Sequence, residues 1–411
     1  MEYADIAVVG AGPAGLSCAV FLAGEKIRLV VLEKNKNPGT KLMLSGSGQC
    51  NLTHDGSIQD FLPRYGAHGR FLKHALHSFT NTAMQNFFSV RHVPVETAES
   101  GKVFPASRRA ADIRDLLLRE LKNAGARIFS EEPVISVKKS GPGFVVTTNS
   151  HTFMATYLVL ATGGLSYPAT GSTGEGYRFA QELGHTITPV YPALAPVTIR
   201  DFALGDLAGM TFSPLAYSVW RENKKILEHQ GDVVITHTGL SGPGILDRSR
   251  SIRPGDRLLV CFARGSSREE LINRISGEIG KAPKKSIKNL LLELSLPERL
   301  VRFLIVRAGM PLELTGAHLS AGNRQTLVGL VTSFPLDVAA VGGFSCAMAT
   351  SGGVLLEEVN QKTMESRVVS NLYFAGEILD IDGDSGGYNI QAAFSTGYLA
   401  AQSIREKMGR K

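Results

Sequence analysis

The N-terminal third of the chain opens with an apolar and polar pattern that is typical of a strand–helix–strand unit. Residues 5–9 are apolar apart from Asp5 at the start, as a strand that is buried on both faces requires. Residues 13–24 keep small and apolar side chains on one helical face. A second apolar run, 28–32, ends at Glu33. The pattern predicts a strand, a glycine turn, a helix and a second strand, in that order.

Two further segments have helical periodicity. Residues 69–90 follow a helical pattern without an obvious break. Ser107 has the side chain of a helix N-cap, and the predicted helix runs to about Asn123 and is ended by Gly125.

The pattern changes in the second half of the chain. From 192 to 266 it alternates as in strands, from 267 to 331 it has a helical period, and 332–351 return to strand. The flanking parts, 1–191 and 352–411, keep the mixed strand and helix pattern. The chain is therefore predicted to be one α/β domain of the Rossmann type, interrupted by an insertion with a β part and a helical part.

Composition describes a globular protein with an ordinary charge content. The 411 residues are enough for two or three domains, with 43% hydrophobic and 20% charged residues. The net charge of +7 allows an anionic partner. The basic residues are scattered, however, and the densest groups, "KAPKKSIK" and "SRSIRPGDR", contain no aromatic residue. We interpret them as a solvated surface and do not expect nucleic acid as a partner.

The cysteines and the apolar segments exclude several classes of protein. The four cysteines lie far apart without a CxxC pair, so neither a zinc ribbon nor a dithiol redox centre is predicted, and no metal site is expected. The start, "MEYADIAVVG", lacks the pattern of a signal peptide. The most apolar long window, 326–344, contains Pro335 and Asp337. No membrane span is predicted, and a cytoplasmic location is expected.

The first turn has the glycine spacing of a dinucleotide site. Residues 10–15 read G-x-G-x-x-G between a predicted strand and a predicted helix, and Glu33 ends the next strand. Gly10 permits the tight turn, Gly12 lets the backbone approach a pyrophosphate, and Gly15 permits close packing of helix and strand. Glu33 would accept hydrogen bonds from ribose hydroxyls, which favours FAD or NAD over NADP.

Three later segments favour FAD over NAD. They are "YLVLATGG", a strand that ends in glycines; "KLMLSGSGQCNLTH", a glycine-rich loop; and "YFAGEILDIDGDSGGYNIQAAFSTGY" near the C-terminus. The first could also be an ordinary strand exit, the second a flexible surface loop and the third a solvated acidic turn. The acids in "DIDGD" are explained by local backbone hydrogen bonds, as is common in turns.

The C-terminal segment would complete a flavin site. Glu377 could accept hydrogen bonds from the ribityl hydroxyls. Gly386 and Gly387 would bring backbone N–H groups to the flavin ring, and the helix from Tyr388 would direct its positive end to the N1/C2=O edge. Negative charge on reduced flavin would be stabilised there, which would raise the reduction potential.

At the level of these motifs the chain resembles the bacterial BaiN-like or aminoacetone-oxidase-type NAD(P)/FAD-dependent oxidoreductases. The resemblance runs through "GAGPAGL", "EKNKNPGTKLMLSGSGQCNLT", "GKVFPAS", "LATGGLSYPATGSTGEGY", "THTGLSGPGIL", "TSGGVLLEEVNQKTMESR" and "LYFAGEILDIDGDSGGYNIQAAFSTGY". It implies an FAD-binding domain over 1–191 and 352–411, a β-barrel domain over 192–266 and 332–351, and a helical domain over 267–331. It also implies an FAD site lined by Gly10, Gly12, Ala14, Gly15, Glu33, Lys34, Lys41, Ser45, Cys50, Asn51, Ala161, Thr162, Gly163, Gly376, Glu377, Gly387, Tyr388, Asn389 and Ile390.

Two departures limit what the resemblance carries over. Relatives usually have an arginine where this chain has Gln49, which removes a positive charge from that loop. No second G-x-G-x-x-G is present for a separate nicotinamide domain, and "GSTGEGY" at 171–177 is better interpreted as a turn that caps a helix.

The predicted function is an FAD-dependent oxidoreductase that transfers a hydride between flavin and a small organic substrate. The electron partner is either NAD(P)H or oxygen. The alternatives are a flavoenzyme that acts on tRNA or another RNA, and a flavin-binding sensor or interaction protein without turnover. The sequence identifies no catalytic residue. Pocket candidates are Tyr167, Tyr388, Cys50 and His237, for each of which a packing or loop role is the preferred interpretation.

Overall fold

The computed structural model describes residues 1–24, 26–263 and 267–409. The chain forms two compact units, one from 1–193 together with 343 onward, and one from 194–342. The predicted boundaries at 266 and 411 lie outside the described residues. The division of the inserted part into a barrel domain and a separate helical domain remains a prediction.

Strands and helices are numbered along the described chain. The strands are β1 (Glu2–Val9), β2 (Leu29–Leu32), β3 (Thr53–His54), β4 (Val95–Thr97), β5 (Lys102–Pro105), β6 (Arg127–Phe129), β7 (Val134–Ser140), β8 (Gly143–Thr148), β9 (Thr152–Leu160), β10 (Tyr191–Ala193), β11 (Val197–Ile199), β12 (Thr211–Arg221), β13 (Lys224–Ile235), β14 (Gly239–Ser241), β15 (Arg257–Cys261), β16 (Phe334–Val341), β17 (Ala349–Ser351) and β18 (Leu372–Phe374). The helices are α1 (Pro13–Leu22), α2 (Ile58–Phe61), α3 (Gly69–Ser78), α4 (Asn81–Ser89), α5 (Ala110–Asn123), α6 (Glu175–Glu182), α7 (Pro243–Leu246), α8 (Arg268–Lys281), α9 (Ile287–Leu292), α10 (Glu298–Arg307), α11 (Ala321–Thr332) and α12 (Tyr388–Gly409).

The first unit is built on a mixed sheet with the order β6-β2-β1-β9-β8-β7, in which β18 also pairs with β9. Strands β6, β2, β1, β9 and β18 are parallel, whereas β7, β8 and β9 form an antiparallel meander. Strands β1, β2, β9 and β18 are largely apolar and buried, as is typical of a sheet whose two faces are covered, whereas the edge strand β6 is only partly buried. This arrangement confirms the predicted α/β fold of the Rossmann type.

Helices α1 and α12 pack closely because small residues face each other. A Cβ atom at Gly397 would lie 2.6 Å from the carbonyl oxygen of Ala14, so only glycine permits this approach. The Ser17 hydroxyl donates to the carbonyl of Phe394 across the same contact. The C-terminal helix is therefore fixed against the helix that follows the first glycine turn.

The second unit contains the closed barrel that the family resemblance implied, with the order β11-β14-β13-β12-β15-β16 among the described residues. Its longest hairpin joins β12 and β13. Helices α8 to α11 lie between β15 and β16 in sequence, and their apolar side chains join those of the barrel in one hydrophobic core. Helix α8 begins with a capping box, in which Ser267 and Glu270 each accept a backbone N–H of the other.

No helix among the described residues is long and apolar enough to cross a membrane.

Candidate functional site

The carboxyl ends of four parallel strands lie in one row. In the register of the sheet, Val9 is paired with Leu32 and Leu160, and Leu160 is paired with Phe374. The next residues along the chain are Glu33, Gly10, Ala161 and Ala375. Segments that lie far apart in sequence therefore meet at one edge of the sheet, where ligands bind in open α/β sheets.

The glycine turn after β1 has the geometry that its three glycines predict. Gly10 has a φ of +98°, which favours glycine, and a Cβ atom at Gly15 would lie 1.9 Å from the carbonyl oxygen of Gly10. A Cβ atom at Gly12, in contrast, would meet no atom within 4 Å. The turn is thus closed towards the protein and open at Gly12, where a pyrophosphate can approach the start of α1.

Glu33 is buried, and both of its carboxylate oxygens accept backbone N–H groups. Its Oε2 accepts from Ala11 at 2.8 Å and its Oε1 accepts from Asn35 at 2.9 Å. A carboxylate offers about four acceptor positions, so capacity remains for ribose hydroxyls. Glu33 therefore holds the glycine turn in place from the neighbouring strand.

Lys41 and Glu377 form the centre of a polar cluster at the same edge. Lys41 Nζ lies 2.6 Å from Glu377 Oε2 and donates to the Ser166 hydroxyl at 2.5 Å. Ser166 donates to Glu377 Oε1 at 2.6 Å, and the backbone N–H of Thr350 donates to the same oxygen at 2.8 Å. Glu377 was expected to accept from ribityl hydroxyls, but most of its acceptor capacity is used by protein groups.

The glycine-rich loop after β2 contains two short 3₁₀ turns within Leu42–Gly48, which are separated by a kink at Ser45, Gly46 and Ser47. Cys50, which follows it, is fully buried, and burial raises the pKa of its thiol to about 12. Its backbone N–H donates to the carbonyl of Ser45. Cys50 is therefore a packed thiol, as the preferred interpretation of the sequence holds, and not an ionised nucleophile.

Asn51 connects this loop to the start of α12. In the amide orientation that satisfies both of its ends, Asn51 donates to the carbonyl of Thr53 and accepts from the N–H of Gly387. A Cβ atom at Gly387 would lie 2.6 Å from the carbonyl of Thr53, so the two segments touch through their backbones.

Ile390 lies in the first turn of α12, and the Asn389 side chain makes two hydrogen bonds to the backbone of Gly383.

Tyr388 is buried in an aromatic cluster at the N-terminus of α12. Its ring stacks on His54 at 5.4 Å between centroids and meets Phe61 edge-on. The Tyr65 hydroxyl donates to the backbone carbonyl of Tyr388 at 2.8 Å. These contacts fix the direction of the helix, whose free N–H groups and dipole favour negative charge.

The turn that follows β9 and helix α6 each bring one polar group without a protein partner to the site. The Thr162 hydroxyl and the Tyr177 hydroxyl are buried and have no hydrogen-bond partner among the described residues. Burial, aided by the nearby carboxylates of Glu377 and Asp380, raises the pKa of Tyr177 far above its ordinary range. Buried hydroxyls of this kind are normally satisfied by a ligand or by water.

Lys34 and the turn before α6 form the outer side of the same region. Lys34 is paired with Glu175 at 2.7 Å and donates to the Thr173 hydroxyl. The segment "GSTGEGY" is a turn that leads into α6, as predicted from the sequence.

The other two pocket candidates, Tyr167 and His237, belong to different units of the chain. Tyr167 is half-buried, has a φ of +53°, and donates its backbone N–H to the carbonyl of Phe344. His237 lies in an exposed bend between β13 and β14 in the second unit. Neither has a side-chain hydrogen bond among the described residues that would indicate a catalytic role.

The acidic turn before α12 is more than a local turn. Asp380 accepts from the N–H of Gly352 and from the hydroxyl of Thr188, both at 3.0 Å. The prediction that local backbone bonds explain these acids is therefore wrong for Asp380, because its partners come from other parts of the first unit. Sequence reasoning also missed Ser166, Thr350 and Tyr177, whose roles depend on contacts between distant segments.

The residues of the site fit FAD. Gly12 leaves open space beside the start of α1, and the buried hydroxyl of Thr162 lacks a protein partner where the β9 turn meets that edge. The described residues contain no group of three or more His, Cys, Asp or Glu side chains that could hold a metal ion.

Comparisons with known proteins identify the family of the chain. The family model described as "HI0933-like protein Rossmann domain" matches residues 4–403. The ribosomal RNA dihydrouridine synthase of Escherichia coli (strain K12) is 30% identical, over 98% of this chain and 98% of that protein. The ribosomal RNA dihydrouridine synthase of Haemophilus influenzae is 32% identical, over 98% of this chain and 99% of that protein. The 3-dehydro-bile acid delta(4,6)-reductase of Clostridium scindens is 29% identical and is covered to 99%, again with 98% of the chain.

Solved structures show the same fold. The 3-ketosteroid-delta4-(5alpha)-dehydrogenase of Rhodococcus jostii RHA1 has a TM-score of 0.53 at 16% identity, with 98% of this chain and 97% of that chain covered. A flavocytochrome c3 fumarate reductase has a TM-score of 0.52 at 14% identity, with 98% and 78% covered. With the match over residues 4–403, the chain belongs to the HI0933-like family of Rossmann-fold flavoproteins and is an FAD-dependent oxidoreductase.

Proposed function

We propose that the enzyme transfers a hydride from flavin to a carbon–carbon double bond that is conjugated with a carbonyl group. The observation that carries the proposal is the full-length similarity to relatives with two different names. A dihydrouridine synthase and a 3-dehydro-bile acid delta(4,6)-reductase both add hydrogen across such a bond, in a uracil ring and in an enone.

Bound FAD supplies the hydride in this reaction, and the protein supplies position and electrostatics. Gly12 and the start of α1 would hold the pyrophosphate, and Glu33 would accept from the adenosine ribose. The N-terminus of α12, held by Asn51 and by the stacked ring of His54, would lie against the edge of the flavin ring.

NAD(P)H is the proposed electron donor, because reduction of a double bond consumes two electrons that the substrate does not provide. The nicotinamide gives up a hydride, and the second hydrogen of the product is a proton taken from solvent. Oxygen would be the competing partner, as an acceptor in an oxidase reaction. The cytoplasm, where NAD(P)H is available, is the proposed location.

Two substrate classes satisfy this bond chemistry. The first is a small organic enone, which corresponds to the function predicted from the sequence. The second is uridine in RNA, which is favoured by the names of the relatives that are 30% and 32% identical and by the net charge of +7.

An anaerobic absorbance titration of the FAD-loaded protein with NADH and NADPH tests the proposal. Bleaching of the flavin by one nicotinamide, followed by recovery on addition of a 3-oxo-4-ene steroid or of a uridine-containing RNA transcript, is the expected result. Mass spectrometry distinguishes the two classes, because only the compound that is the substrate, steroid or RNA, gains the mass of two hydrogen atoms. Absence of bleaching by both nicotinamides, with bleaching by an amine and recovery in air, would instead show an oxidase.

A further inference from the structure

One segment of the first unit combines a long stretch without acids and many basic or imidazole side chains. Residues 61–95 contain no aspartate or glutamate, although acids are frequent on either side. The same segment carries several basic or imidazole side chains, namely Arg64, His68, Arg70, Lys73, His74, His77, Arg91 and His92. A local excess of positive charge is therefore a property of this segment.

Helix α3 gathers much of this charge on one face. Leu72, Ala75 and Leu76 are buried and attach the helix to the first unit. The opposite side presents four exposed side chains at helical spacing, which we name the α3 basic face: Arg70, Lys73, His74 and His77.

The charges of this face are not compensated by acids. Within the described parts of the chain, Arg70 and Lys73 take part in none of the ion pairs, whereas some exposed cations of other helices are paired, as in Lys281 with Glu278 at 2.8 Å and Arg178 with Glu182 at 2.8 Å. In the basic sequence "KAPKKSIK", Lys281, Lys285 and Lys288 are each paired with a glutamate, whereas Lys284 takes part in none of the ion pairs among the described residues. An unpaired basic face produces a local positive potential that attracts polyanions.

The segment that leads into α3 touches the turn before α12. Arg64 lies 3.8 Å from Asp384, its guanidinium lies over the Tyr388 ring, and its carbonyl accepts from the N–H of Asp384. His68 lies 3.9 Å from Asp380. The α3 basic face is thus continuous along the chain with residues that border the candidate flavin site, and both belong to the same unit.

We propose that the α3 basic face binds the phosphodiester backbone of RNA and so presents a uracil base to the flavin site. Guanidinium and ammonium groups neutralise phosphates and release counterions, which gives affinity without sequence preference. The uracil ring has a double bond conjugated with a carbonyl, so this inference rests on the proposed function and selects its second substrate class. It departs from the expectation that nucleic acid is not a partner, because that expectation assumed that the basic residues are scattered.

The test compares two double variants of the FAD-loaded protein that lose equal charge. Arg70→Gln/Lys73→Gln removes two cations of the face, and Lys122→Gln/Lys284→Gln removes two exposed cations from other helices or loops. Binding of a fluorescein-labelled, single-stranded, uridine-containing RNA is measured by fluorescence anisotropy at a series of NaCl concentrations. The flavin spectrum and the unfolding temperature confirm that each variant is folded.

The face variant should bind the RNA roughly tenfold or more weakly. The slope of log K against log[salt] should become less steep by about 1.4, which is the value for two contacts to a single strand. The control variant should lose less than about twofold in affinity. Equal losses in both variants, unchanged binding by the face variant, or no RNA binding by the wild type would each overturn the proposal.

Product analysis separates this proposal from the proposed function. RNA binding that depends on the face, without formation of dihydrouridine, would support the surface and contradict reduction of uridine. Formation of dihydrouridine at the wild-type rate by the face variant at limiting RNA would show that the enzyme reduces uridine and that α3 does not bind the substrate.

Discussion

Lys41 and Glu377 form an ion pair 2.6 Å long between residues that are 336 positions apart in sequence. Lys41 follows the strand that ends at Glu33, and Glu377 follows β18, so the pair joins the two sides of the candidate FAD site. Each side chain is about one-fifth exposed, at 22% and 21%, which reduces the screening of the pair by water. The pair also orients Ser166, which bonds to both partners.

Breaking this pair should weaken FAD binding and stability together. Glu377→Gln leaves the Lys41 ammonium half-buried without its counter-charge, and we expect a loss of about 1–3 kcal/mol in the free energy of unfolding. FAD release should occur at a lower denaturant concentration, as measured by flavin fluorescence during a urea titration.

A double-mutant cycle with Lys41→Met gives the matched control. If the pair acts as a unit, the double variant should be less destabilised than the sum of the two single variants. Strict additivity of the two losses would contradict the coupling that the geometry indicates.

The glycines of the first turn should respond in opposite ways to alanine. In Gly12→Ala the new methyl group points into open space, so we expect a normal unfolding temperature without FAD. The affinity for FAD should fall by roughly tenfold or more, because the pyrophosphate must approach this backbone. In Gly15→Ala the methyl group would collide with the carbonyl of Gly10, at 1.9 Å, and the fold should lose about 3 kcal/mol or more.

Isothermal titration with FAD and thermal unfolding of the FAD-free protein separate the two effects. A Gly12→Ala variant that binds FAD as tightly as wild type would show that no phosphate group lies against this turn.

The sequence was sufficient to predict the parts of the site that depend on local pattern. The strand, glycine turn and helix at residues 5–24 could be predicted because apolar runs, Pro13 and the glycine spacing all act over short distances. The Lys41–Glu377 pair could not, because it depends on the register that brings β18 beside β9. The same is true of the Asp380 carboxylate, whose partners Thr188 and Gly352 lie on other segments.

Helix boundaries were predicted less well where a polar side chain breaks a continuous apolar pattern. Residues 69–90 were predicted as one helical segment, but the structure has α3 and α4, because Thr80 caps a new helix by accepting from the N–H of Ala83. The N-cap of α5 is Arg109 and not Ser107, whereas its predicted end at Asn123 is confirmed. The α3 basic face was missed because its charges are spaced along a helix and do not form a run.

The cysteines should differ sharply in reactivity. Because burial raises the pKa of Cys50 to about 12, only about one molecule in ten thousand carries its thiolate at pH 8. Cys346 is exposed. We expect iodoacetamide at pH 8 to modify Cys346 and leave Cys50 unmodified in the native protein, as read by peptide mass spectrometry.

A Cys346→Ser variant provides the control, since the rapid modification at position 346 should be absent from it, while Cys261, which is intermediate in exposure, is followed on its own peptide. Rapid modification of Cys50 in the native protein would contradict its burial and would restore it as a candidate nucleophile.

His185 should make the protein less stable at acidic pH. Its side chain is fully buried, its Nε2 bonds to the Ser366 hydroxyl at 2.8 Å, and its Nδ1 lies 3.2 Å from Glu358. Burial, partly opposed by the Glu358 carboxylate, lowers the pKa of His185 below its ordinary value of 6.5. The His185 side chain therefore binds a proton at a higher pH in the unfolded chain than in the folded one. Its contribution to the free energy of unfolding is complete above pH 6.5 and is lost as the pH falls through the pKa of the folded state.

Urea unfolding between pH 5 and pH 8 tests this dependence on the histidine. The wild type should lose stability below about pH 6.5, whereas His185→Gln, which cannot be protonated, should have a flatter profile and about 1–3 kcal/mol less stability at pH 8. His237→Gln, at an exposed position of the second unit, is the matched control and should follow the wild-type profile. Equal slopes for wild type and His185→Gln would show that another group causes the acid sensitivity. Glu358 is distinguishable from His185 by its pH range. Desolvation raises the pKa of Glu358, but hydrogen bonds from Thr186 and the interaction with His185 together lower it below 4.5, which places its contribution at a more acidic pH.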